Sequence, residues 1–307
     1  MKTGRSALLA GLCWWGVSFL TDAGACPVPV YEIAFYRWLP DDYLVTVEYD
    51  GALSNVASAK AVELLRPRSV DKRERANMNV EFRQVEGRER NDSPLMRVSY
   101  IRNVMRSGDD AETKAQVTGI TNEVWSGTFT AAAAAALVDS PVRQAVKQRL
   151  LAGDVAVWIL LESGDKAKDD RIARLVDETL KDIRATMKAP APPEDPANLD
   201  TTPADAGGKA VSLSLVRVAR DDPAEWFLAA MLRQFPGTLR GDREPVLAAV
   251  FGRGMVLKPW PGNRVSPEAI RKVAAALLEP CSCACPLPQE ARYLLMQGSW
   301  GRNDGAR

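Results

Sequence analysis

Residues 92–100 read DSPLMRVSY and residues 243–251 read REPVLAAVF. In each, a proline introduces an apolar run fit for a strand, at the one strand position where a missing N–H does no harm. Outward from both, the same elements recur. Downstream, a second strand run follows at 124–127 or 256–262, then a Ser-Pro-headed helix at 140–151 or 266–278. Upstream lie strand, helix and strand, at 43–49, 55–65 and 80–85 in one half and at 154–161, 171–187 and 211–218 in the other. The pattern predicts an α/β chain in which a βαβ unit followed by a ββα unit occurs twice.

Local chemistry supports these assignments. Ser140-Pro141 and Ser266-Pro267 each offer a capping hydroxyl and a proline at the first helical position, and Asp222-Pro223-Ala224-Glu225 repeats the device with carboxylates. Ile172, Leu175, Val176, Thr179, Leu180 and Ile183 share one helical face. The run 154–161 (DVAVWILL) is apolar on both faces, which suits a central strand covered on two sides. By contrast, 188–209 (KAPAPPEDPANLDTTPADAGGK) has almost no large apolar residue and predicts a long Pro/Ala-rich exposed loop. Tyr31, Phe35 and Trp38 stand at helical spacing on a short apolar segment, read as core packing.

The element order, with Pro94 and Pro245 heading the third strand of each half and a glycine after the fourth, resembles the thioredoxin fold. That resemblance implies two tandem modules, 26–152 and 153–287, with 188–209 an insert in the second and 288–307 a C-terminal tail. It also implies prolines that are cis and abut a Cys-x-x-Cys turn. Here the corresponding junctions read Asp50-Gly51-Ala52-Leu53-Ser54-Asn55 and Ser163-Gly164-Asp165-Lys166-Ala167, without cysteine. Ordinary disulfide exchange at those positions is thereby excluded. The phrases CPVPVYEIAFYRW, SPVRQAVKQRLLAGDVAVWILLESGDKAKDD, VFGRGMVL, CSCACP and LLMQGSW further resemble an uncharacterised family of exported bacterial proteins.

Export is also what the first residues predict. Lys2 and Arg5 precede an apolar run, and Ala23-Gly24-Ala25 supplies the small-x-small pattern of a signal-peptide cleavage site, so 1–25 is read as a signal peptide. The expected location is the periplasm or the extracellular space. Cys26 would then be the first residue, open to acylation and hence to membrane anchoring, although Ala23 stands where a lipoprotein signal places leucine. Removing that segment takes away Lys2, Arg5 and Asp22 and leaves 38 basic and 38 acidic side chains of the original 40 and 39. A balanced chain has no overall field to attract nucleic acid. The charge run 66–76 also lacks interleaved aromatics for base stacking.

The chain has no histidine, which excludes Ser-His and Cys-His nucleophiles and the usual zinc-hydrolase ligand sets. The concentrated chemistry lies in Cys281, Cys283 and Cys285, printed CSCAC. Alternate residues of an extended stretch point to one side, so three thiolates, with Cys26 as a fourth, suit Cu(I) or Zn(II). In an oxidising compartment the same four cysteines suit two structural disulfides, one of them tying Cys26 to the C-terminal cluster. Unpaired thiols are the third reading, and spacing leaves all three open. Phe251-Gly252-Arg253-Gly254 sits between strands, so it predicts a tight hairpin with Arg253 exposed at its tip as a contact residue. The function expected is binding or structural, with a protein partner in the envelope. The alternative is a thiol-based redox or metal-handling role, with thiol-disulfide exchange as its enzymatic form.

Overall fold

The computed structural model describes residues 28–53, 59–66, 76–86, 93–102, 120–190, 208–235, 243–281, 291–298 and 300, and of residues 120 and 121 the backbone alone. The signal-peptide segment, Cys26, Cys283, Cys285 and most of the 66–76 charge run lie outside them.

The chain is mixed α/β, with two principal sheets. The first holds β1 (Tyr43–Tyr49), β2 (Met78–Gln84), β3 (Leu95–Arg102) and β4 (Ile120–Thr128) in the spatial order β2-β1-β3-β4. Strand β1 runs parallel to β2 and antiparallel to β3, and β4 is antiparallel to β3. After β5 (Ala156–Leu161), a two-residue ladder of β6 (Lys188–Ala189) on β7 (Lys209–Ala210) pins the two ends of the Pro/Ala-rich loop together. The second sheet adds β8 (Leu213–Val218), β9 (Val246–Phe251), β10 (Met255–Val256), β11 (Trp260–Pro261) and β12 (Arg292–Tyr293) to β5, in the order β12-β10-β9-β5-β8 with β11 also on β9. Here too the first strand is parallel to the second, β8, and antiparallel to the third, β9.

The strand run expected over 256–262 is broken into β10 and β11. Pro259 has no amide to give the ladder, and Leu257 N bonds Ala249 O just before the break. Ser140 and Ser266 cap α4 (Pro141–Leu151) and α7 (Pro267–Leu278), accepting from Arg143 N at 3.3 Å and Ala269 N at 3.2 Å. Asp222 does not start a helix. Its carboxylate accepts from Ala224 N in a turn, and α6 (Trp226–Arg233) begins after Glu225.

Helices α1 (Val30–Tyr36), α2 (Ala59–Leu65), α3 (Ala131–Val138) and α5 (Lys166–Thr186) complete the set used below. One face of the first sheet (Tyr43, Val45, Val47, Met96, Val98, Tyr100) and one face of the second (Val157, Ile159, Leu161, Ala248, Val250) feed a single buried cluster. Side chains of α3, α4 and α6 and of Leu294, Leu295, Met296 and Trp300 belong to the same cluster. The other face of the second sheet, with Trp158, Leu160, Leu247 and Phe251, is covered by α5, α7 and α1. Both faces of β5 and β9 are therefore sealed, as their unbroken apolar runs require. The outer face of the first sheet instead carries Glu48, Arg97 and Glu123, joined by salt bridges.

Two assignments along the chain change. Helix α1, expected with the first module, packs beside the second sheet: Val30 N donates to Glu279 O at 3.0 Å, and Ala34 lies against Gly252. Residues expected to trail as a tail form β12 and the buried Leu294, Leu295, Met296 and Trp300. Their apolar side chains fill the seam that two facing sheets would otherwise leave empty.

Candidate functional site

In a sheet with parallel strands, ligands and catalytic groups gather at the carboxyl ends, where loops meet helix N-termini. In the second sheet that place is the β5–α5 junction, Ser163-Gly164-Asp165. Gly164 takes a φ of +88°, letting the chain turn from strand into helix. Asp165 then caps α5, accepting from Ala167 N at 3.0 Å and Lys168 N at 3.2 Å. Asp169, one turn into the helix and buried, reaches back over the loop. Its carboxylate accepts from Ser163 N at 2.8 Å, Ser163 Oγ at 2.8 Å and Gly164 N at 3.1 Å. Ser163 Oγ accepts in turn from Asp165 N at 3.1 Å. The junction is a closed polar turn whose donors are consumed internally.

Around it lies a network of exposed charges. Arg217 of β8 donates to Glu162 at 2.6 Å and Asp170 at 2.9 Å, and Lys166 donates to Asp170 at 2.6 Å. The hydrogen bonds from Lys166 and Arg217 pull the Asp170 carboxyl below its ordinary value. Lys168 donates to Glu244 at 2.6 Å, a bond that raises its own pKa. These pairs are solvated and contribute little to stability.

Pro245 and Pro94 each stand directly before a strand, β9 and β3. Val246 lies opposite Leu161 and Leu95 opposite Glu48, so each proline flanks the carboxyl end of its sheet's first strand. No cis peptide occurs among the described residues, so both are trans, a departure from the thioredoxin pattern. In the first sheet, the junction is described through Leu53, with Gly51 at φ +77°.

Of the cysteines read as redox, disulfide or metal candidates, Cys281 is within the described residues and half-buried; Cys26, Cys283 and Cys285 are outside them. Cys281 N donates to Val28 O at 2.9 Å, Pro29 bridges Pro280, and the Cys281 side chain packs with Val28 and Ile33. Among the described residues no cluster of acidic or thiol side chains is arranged to hold a metal. Arg253 requires a correction. It lies in a hairpin with Gly252 and Gly254 at φ +56° and +86°, yet it is half-buried, because its Nε donates to Phe35 O at 2.6 Å and so ties the hairpin to α1.

One densely bonded polar group went unread in the sequence. Arg143 is buried and donates to Leu295 O, Ala136 O, Leu137 O and Ser140 Oγ, while its guanidinium lies 5.4 Å from the Phe227 ring centre. Burial lowers its pKa to about 10, against the favourable charge of Glu225. Glu225 is itself buried, and burial raises its pKa although it accepts from Val142 N at 2.8 Å at the start of α4. Arg143 has no local sequence signal, since every partner but Ser140 lies on another element or at its end, and the local signal of Glu225 pointed to its own helix instead of to Val142.

Comparison with protein-family models, curated proteins and solved structures returned no match for the chain.

Proposed function

We propose that this is an exported protein of the cell envelope that acts by binding or as a structural component, built from two thioredoxin-like modules that have lost the family's dithiol. The observation that carries this reading is the β5–α5 junction, closed by the Asp169 carboxylate where a reactive thiol pair would stand. The matching strand orders β2-β1-β3-β4 and β8-β5-β9-β10 support descent of both sheets from one unit. On this reading residues 1–25 direct export, a protein of the envelope is the partner, and membrane attachment follows only from acylation of Cys26. No catalytic centre is assigned.

A second reading is favoured by one contact. The bonds Cys281 N to Val28 O and Val30 N to Glu279 O bring the chain just after Cys26 beside the chain leading into Cys283. On the second reading that juxtaposition supports a shared Cu(I) or Zn(II) site, or a reactive thiol set, on Cys281, Cys283, Cys285 and Cys26; a structural disulfide between the ends of the chain belongs to the first reading. An insulin-reduction assay separates a binding protein from a thiol oxidoreductase. The first reading predicts precipitation at the dithiothreitol background rate; faster turnover that disappears in Cys283→Ser would establish the second.

A further inference from the structure

The edges of the two sheets differ in how their backbone is closed. A bare sheet edge invites further strands, and proteins blunt it by capping, bulging or shortening the edge strand. On β8, the outermost strand of the second sheet, the carbonyls of Leu213 and Leu215 accept from Arg184 Nη1 at 2.7 Å and Arg149 Nη1 at 2.9 Å. At the other edge of that sheet, β12 has only two residues. In the first sheet, β4 is interrupted by a register shift opposite Val98 and Ser99. Among the described residues, β2 has none of these devices: it runs seven residues in unbroken register with β1 and contains no proline.

The ladder shows which backbone groups of β2 face away. Tyr43 N donates to Asn77 O and Val85 N to Tyr49 O, both at 2.9 Å, so the odd-numbered residues turn their amides and carbonyls to β1. Alternation turns those of Val80, Phe82 and Gln84 outward, where no hydrogen-bond partner meets them among the described residues. The core is thin at the same edge. Tyr43, Val45 and Val47 are fully buried, whereas their β2 partners Met78, Val80 and Phe82 are half-buried, and Val85 just beyond is 38% exposed. On the other face stand Glu81 and Arg83, where Arg83 Nε donates to Glu81 at 2.9 Å.

These charges select a register for an antiparallel neighbour made by a second copy. With Phe82 opposite Phe82, Val80 falls opposite Gln84 of the second copy, and each such pair exchanges both of its N–H···O bonds. The same register sets Glu81 against Arg83 of the second copy, and Arg83 against its Glu81, at the closely spaced pairs where side chains meet. Moving the two-fold axis by one residue either way puts Glu81 opposite Glu81 or Arg83 opposite Arg83, like charge against like.

We propose that the free edge of β2 is a self-association surface, pairing with β2 of a second copy about a two-fold axis at Phe82 and joining two four-stranded sheets into one. The contact is isologous and closes at two chains. One strand pair buries little area, so the dimer is weak and forms with rising concentration. The surface does not depend on the modules being thioredoxin-like, and its test does not read the thiols.

The test is sedimentation velocity of the purified protein from about 1 to about 200 µM, the range in which weak interfaces form. The sedimentation coefficient should rise from that of a monomer to that of a dimer and no further. Glu81→Arg and Arg83→Glu should each weaken association about tenfold by setting like charges opposite one another, and the two together should restore it. Both side chains are exposed, so these variants keep the fold. Gln84→Pro, which removes one outward N–H and leaves the ladder to β1 intact, should abolish association. The amides of Val80, Phe82 and Gln84 should exchange freely in dilute protein and become protected as it is concentrated. A monomer at every concentration overturns the proposal, as does a dimer indifferent to these substitutions. Edge amides protected equally at every concentration also overturn it, because the chain itself would then cover the edge.

Discussion

Arg143 Nη1 donates to the carbonyl oxygen of Leu295 at 2.5 Å, joining α4 to a segment 152 positions further along the chain. The same guanidinium holds the last carbonyls of α3, from Ala136 and Leu137, so one cation fastens two helices and the C-terminal segment. Replacing it by methionine keeps the volume and strands those oxygens, along with the buried Glu225. Arg143→Met should lower unfolding stability by about 3–5 kcal/mol, the range for breaking a buried charged network. Urea denaturation followed by tryptophan fluorescence reads the change. Limited proteolysis should show earlier cleavage in the segment 291–300.

Stability should fall in strong base. Tyr43, Tyr100 and Tyr293 are buried, and burial raises all three phenols well above the ordinary tyrosine value. Above about pH 10 the unfolded chain ionises these groups while the folded chain keeps their protons, so each phenol removes about 1.4 kcal/mol per pH unit. Arg143 works the other way, since its pKa is lowered to about 10 and the unfolded chain holds that proton to higher pH. Burial lowers the Arg233 and Arg292 guanidiniums too, but Arg143 alone is brought to about 10, so the three phenols dominate just above pH 10. Denaturation midpoints should hold below pH 10 and drop steeply above it, with a shallower drop in Tyr43→Phe.

Asp169 should matter more than its exposed neighbour Asp170. Its carboxylate accepts three hydrogen bonds from the 163–164 loop in a buried setting, whereas Asp170 meets solvated cations. Asp169→Ala should cost about 2–4 kcal/mol and Asp170→Ala under about 1 kcal/mol. Hydrogen exchange of the Ser163 and Gly164 amides distinguishes the two, accelerating strongly in the first variant alone.

Gly252 marks the approach of α1 to the β9–β10 hairpin. It takes φ +56°, and a Cβ there would lie 2.7 Å from Ala34 Cβ and 2.9 Å from Ala34 C. Gly252→Ala should destabilise by about 2–4 kcal/mol through strain and overpacking together. Thermal unfolding checks it. A Gly153→Ala control, at φ +106° with open space around the site, isolates the contribution of backbone strain.

The strands and capped helices were legible because their information is local. Val246–Phe251 forms as its apolar run predicts, and Ser140 and Ser266 cap the helices they precede. Helix α3 escaped notice because a run of alanines, Ala131 to Ala136, has high helix propensity and no periodicity. The Asp222 turn misled for a different reason: Glu225, expected to close a local box, caps another helix at Val142 N. What joins the two sheets was illegible. Leu294 and Leu295 show no period, and Tyr43, whose hydroxyl donates to Tyr293 O at 2.6 Å, finds its partner 250 positions away.

On the proposed function, neither strand-to-helix junction carries sulfur chemistry and the remaining cysteines cross-link the chain without reacting further. Quantifying free thiols and bound metal in the purified protein, denatured without reductant, tests it most directly. The account predicts no free thiol, no stoichiometric metal, and a disulfide-linked peptide pairing Cys26 with the 281–285 segment. Free thiols at all four positions, or one Cu(I) or Zn(II) per chain, would contradict it.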